Sequence, residues 1–173
     1  MTLSGLDWQE DLPPEAEQRR EVFARFGLAA YQGQCLERQV AILLAATHNP
    51  EFLHTPPEGR DAFFDREFRK TLGNLTRALT DRVKLLPDFR TRLEEGVRLR
   101  NWLAHDYFWE RAADLLVWDG RERMISELQA AADLLGELDR ELTAVSDAWA
   151  VSLGLTPAMI EAELDKLLGR EGT

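Results

Sequence analysis

From Val22 onward the apolar positions alternate steps of four and three: Val22, Phe26, Ala29, Gly33, Leu36, Val40 and Leu43. That spacing predicts a helical seam after Pro13-Pro14, either one helix to about Thr47 or two broken near Gly27. Gly33 within the seam costs about 1 kcal/mol relative to Ala unless it permits a close helix approach. Phe64, Phe68, Leu72, Leu75 and Leu79 predict a second helix, interrupted at Gly73-Asn74, after a loop from His48 to Gly59 with three prolines. Pro87-Asp88 opens a third, with Asp88 near its positive end. The longest pattern is Met124, Leu128, Ala131, Leu135, Leu138, Leu142, Val145 and Trp149, preceded by Asp119 and Glu122 as a capping box. Thr156-Pro157 caps a last short helix ending at Gly169. Strand-like alternation and sequence repeats are absent. The expected fold is all-α, an antiparallel bundle of four to five helices. Residues 1–14 form an N-terminal extension, 15–154 the bundle and 155–173 an accessory C-terminal helix.

The helix opened by Pro87 carries one anomaly. Phe89, Leu93, Val97, Ala104 and Phe108 make an apolar stripe, with Arg100 and Tyr107 inside it and Asn101 and His105 along one edge. A guanidinium cannot shed its charge, so burial without a partner costs several kcal/mol. Arg100 is therefore paired, or faces a cleft or a subunit interface.

Composition narrows the classes. The 173 residues carry a net charge of −10, which argues against a nonspecific nucleic-acid binder. Residues 60–100 nevertheless hold eleven Arg/Lys against seven Asp/Glu, a local positive field around Arg100. The single cysteine, Cys35, excludes an internal disulfide. With no signal-peptide pattern and no apolar run of the roughly 18 residues a membrane span needs, the expected location is cytoplasmic, with no membrane partner.

Arg100, four residues, His105, one residue, Tyr107 resembles the motif of the HEPN superfamily of all-helical domains. Asn101 stands where that pattern has a polar residue after the arginine, and Leu99-Arg100-Asn101 and Leu103-Ala104-His105 are similar to HEPN sequences. The resemblance covers about residues 15–150. It implies a metal-independent RNA endonuclease, toxin- or defence-like and without cofactor, whose site is composite at a homodimer interface. Arg100 would bind the scissile phosphate, His105 would act as general base or acid, and Asn101 would position them. Tyr107 matches the tyrosine that a nucleotidyltransferase antitoxin adenylylates in the toxin branch. This chain is longer than the compact toxins of that branch.

Other readings stand beside these. Arg100 could pair structurally with Glu94, Asp106 or a carboxylate on another helix. The chain would then be a non-catalytic HEPN module binding a nucleotide or a partner protein. Tyr107 is equally readable as a core tyrosine. His48, Glu51 and His54 lack an evident fourth ligand, so no metal site is assigned. Cys35 reads as a small buried hydrophobe, and Trp102, Trp109 and Trp118 as packing residues rather than base-stacking platforms.

Overall fold

The computed structural model describes residues 13–48 and 71–152, with Gly154, Ala158, Met159 and Ala162. Among these residues it is an all-α bundle without strands. Helix α1 runs Pro14–His48, with proline in its first turn beside Glu15 and Glu17, where an acidic side chain meets the positive helix end. It is one helix. Gly27 is exposed and has nothing near it, so its intrinsic cost is about 1 kcal/mol and does not break a helix packed along its whole length. Val22, Ala29, Leu36, Val40 and Leu43 are buried, as the seam requires.

Helix α2, Leu72–Thr80, begins after Thr71, whose hydroxyl accepts the Asn74 amide at 3.4 Å. Gly73 and Asn74 therefore form its first turn instead of an interruption, and Leu72, Leu75 and Leu79 enter the core. Phe64 and Phe68 lie outside the described residues, as do the loop residues Glu51 and His54 and the Thr156-Pro157 cap.

Helix α3, Pro87–His105, ends at Asp106 and is followed by two short helices, α4 (Tyr107–Glu110) and α5 (Ala112–Leu116). The final helix, α6, spans Trp118–Ser152. It starts one residue before the expected cap, so Asp119 lies inside the first turn. The Glu122 carboxylate accepts from the Gln18 amide of α1. Its seam is buried from Met124 through Leu142, while Val145 is 44% exposed and Trp149 half-buried.

Side-chain pairing sets the helix directions. Gln18 meets Glu122, Arg25 meets Gln129 and Gln39 meets Ser146, so α1 and α6 run parallel over most of their lengths. Against α3 the order reverses: Gly33 adjoins Arg100 and Leu36 adjoins Gly96 from α1, and Arg92 meets Glu141 of α6. Helix α3 thus lies antiparallel to both long helices, and α2 packs on α1 and α3. The buried row on α3 and α4 is Leu93, Gly96, Leu103 and Tyr107, with Arg100 in the same 3–4 spacing. This corrects the expected stripe: Ala104 is exposed. Gly96 sits where a Cβ would come within 2.6 Å of Leu138, so a position with no side chain marks the core face. No described helix is long and apolar enough to cross a membrane.

Candidate functional site

Arg100 leaves α3 toward α1 and crosses it at Gly33, where a Cβ would stand 3.0 Å from Arg100 Cγ. The close approach foreseen for Gly33 is thus made by the arginine stem. One turn further along α1, the Glu37 carboxylate accepts from Arg100 Nη2 at 2.7 Å. Nη1 donates a longer bond, 3.4 Å, to Asn101 Oδ1. The Arg100 side chain is 27% exposed and that of Glu37 16%. A half-buried guanidinium is therefore neutralised on one edge by a single carboxylate oxygen, leaving part of its donor fork for an incoming anion.

His105 occupies the last turn of α3 and is exposed to solvent. Five residues of α-helix separate it from Arg100, about 140° around the axis. One chain turns Arg100 into the α1–α3 seam and His105 outward. Among the described residues no hydrogen bond or ion pair joins the two.

The chain matches no family model, no curated protein and no solved structure.

Tyr107 belongs to α4, beyond the break at Asp106, so it does not share one continuous helix with Arg100. It is 1% exposed, packs edge-on against Trp102 at 4.8 Å, and donates its hydroxyl to the Met124 carbonyl at 3.4 Å. Burial, with the nearby Glu127 carboxylate, pushes this phenol well above the ordinary tyrosine range. In this arrangement Tyr107 is a neutral core residue, and its hydroxyl is not presented to a modifying enzyme.

Around it lies a polar cluster that sequence reading missed. The Trp102 indole N–H donates to Glu110 at 2.8 Å, and Arg111 covers the Trp102 ring while holding Glu127 through two bonds of 2.9 and 2.7 Å. This clamp fixes the turn that follows His105. A second seam arginine, Arg121, is 3% exposed and bonded to Gln18 Oε1 at 2.6 Å and the Leu115 carbonyl at 3.1 Å. Its position three residues before Met124 continues the α6 seam, the same signal that singled out Arg100. Trp102 is a packing residue, whereas Trp109 is 86% exposed. Cys35 is half-buried, less enclosed than expected. Among the described residues no group of His, Cys, Asp and Glu is arranged to hold a metal ion.

Proposed function

We propose that this chain is a metal-independent RNA endonuclease of HEPN type, toxin- or defence-like, acting in the cytoplasm as a homodimer. The observation that carries this reading is the Arg100 constellation: a half-buried guanidinium with free donors, Asn101 beside it and His105 open to solvent one turn on. Because Arg100 and His105 diverge within one chain, a two-fold pairing of motifs supplies both to one phosphate. A neutral His105 takes the proton of a ribose 2′-hydroxyl, and the 2′ oxygen attacks the phosphorus. The 5′ oxygen leaves with a proton from solvent water, and the protonated His105 then returns its proton to solvent. Arg100 balances the charge gathering on the phosphoryl oxygens, and Asn101 holds its fork. The products are a 2′,3′-cyclic phosphate and a 5′-hydroxyl end.

The test is cleavage of labelled tRNA and mRNA in EDTA by the parent and by His105→Ala. Cleavage that vanishes in the variant and leaves cyclic-phosphate ends supports the proposal. A folded dimer that leaves both substrates intact overturns it.

The Glu37–Arg100 ion pair favours one other reading, a non-catalytic HEPN module that binds a nucleotide or a partner protein through Arg100. Pairing with a nucleotidyltransferase antitoxin that adenylylates Tyr107 belongs to the toxin reading and requires α4 to swing away from Met124. Incubation with such an enzyme and nucleoside triphosphate, read by mass, tests it directly.

A further inference from the structure

The groove between α2 and α3 contains features that the Arg100 constellation does not use. It encloses about 260 Å³ and is lined by Thr76 and Arg77 of α2 and by Arg90, Glu94 and Val97 of α3. Thr76 is 4% exposed, and its buried hydroxyl has no hydrogen-bond partner among the described residues. A buried hydroxyl with no partner is costly, and an entering oxyanion would satisfy it. Among the described residues no carboxylate pairs with Arg77, whereas Arg90 Nε donates to Glu94 at 3.0 Å. The groove therefore offers one uncommitted guanidinium, a second shared with a carboxylate, and an orphan hydroxyl donor.

Its position connects it to the candidate site. Val97 closes the groove, and Asn101 is the next residue along the same row of α3, one turn or about 5.4 Å onward. The geometry points to a second phosphate subsite here, in which Arg77 and the Thr76 hydroxyl receive a backbone phosphate of the RNA strand whose scissile phosphate lies at Arg100. This inference rests on the RNA-cleaving reading above. The subsite lies in the segment where basic residues outnumber acidic ones within an acidic chain. A single-stranded backbone would thus be attracted along one edge of α3 and not over the whole surface.

The experiment measures binding of a labelled 12-nucleotide single-stranded RNA over a range of salt, in the cleavage-blocked His105→Ala full chain. Arg77→Gln, Thr76→Val and Arg100→Gln are each added to that background. Inorganic phosphate is titrated separately against the amide resonances of Thr76 and Arg77. The expected result is a five- to tenfold loss of affinity in Arg77→Gln, with a salt slope smaller by about one counterion. Thr76→Val, which keeps the helix shape, loses affinity without changing that slope. Loss of binding in Arg100→Gln with none in Arg77→Gln or Thr76→Val overturns the subsite and leaves the nuclease reading standing. RNA that does not bind even the His105→Ala chain overturns both, whether or not inorganic phosphate moves the two amides.

Discussion

The Arg100 side chain can cross α1 because position 33 carries no side chain, and Glu37 then fixes one edge of its guanidinium. Glu37→Leu removes that partner and leaves a cation three-quarters shielded from water. The expected cost is about 1.5–3 kcal/mol in urea unfolding, the range for hydrogen bonds to charged groups. Glu37→Gln, which keeps an acceptor oxygen, should cost less. Tyr107 makes a second residue-level prediction. Its folded pKa is raised, so its contribution to stability is fully present below the unfolded tyrosine value near 10. Above that value the unfolded chain loses the proton and the folded chain keeps it, so stability falls with rising pH. The slope due to this residue reaches at most about 1.4 kcal/mol per pH unit. Tyr107→Phe should flatten that alkaline decline in denaturant titrations between pH 9 and about 11, leaving the exposed Tyr31 in place as the remaining tyrosine.

Among elements, the glycines separate helix lengths from helix approaches. Gly120 in α6 presses on α5, where a Cβ would come within 2.2 Å of the Asp114 carbonyl oxygen. Backbone cannot yield as a side chain can, so Gly120→Ala should lose about 2–3 kcal/mol in thermal or urea unfolding. Gly27 faces open space in mid-helix, and Gly27→Ala should gain about 0.5–1 kcal/mol by the same measurement. The long seams of α1 and α6 were legible in sequence because a heptad spacing is a local property that every turn repeats. The core face of α3 was read half a step wrong, since Gly96 has no hydrophobicity to register while Ala104, which does, faces solvent. Glu37 could not be singled out for a related reason. It stands beside Leu36 like many solvated glutamates, and only the antiparallel fit of α3 on α1 brings Arg100 to it. Asn101 and His105 were visible as motif positions, but that Asn101 is half-buried while His105 lies open in the last turn before Asp106 came only with the packed structure.

For the molecule as a whole, the proposed composite site makes activity a property of pairs. Arg100→Ala and His105→Ala should each be inactive alone. Mixed in equal amounts and allowed to exchange, they should recover about a quarter of parental cleavage. Half the dimers are then mixed, and each mixed dimer retains one intact Arg100–His105 combination of two. Recovery of nothing from a mixture shown by mass to exchange would place both residues of a site on one chain. The net charge of −10 opposes pairing of like copies, so dimerisation should strengthen as salt rises, measurable by sedimentation.

The parallel alignment of α1 and α6 also has a consequence in time. Their side-chain pairs join residues 100 to 107 positions apart, such as Gln18 with Trp118 and Gln39 with Ser146. A nascent chain elongating at about 5–20 residues per second completes α1 roughly 5–20 seconds before the matching turns of α6 exist. Throughout that wait the Val22-to-Leu43 seam lacks its partner. Helix α1 is thus made well before the α6 turns that complete its burial, which makes the half-synthesised chain the stage most exposed to chaperone capture.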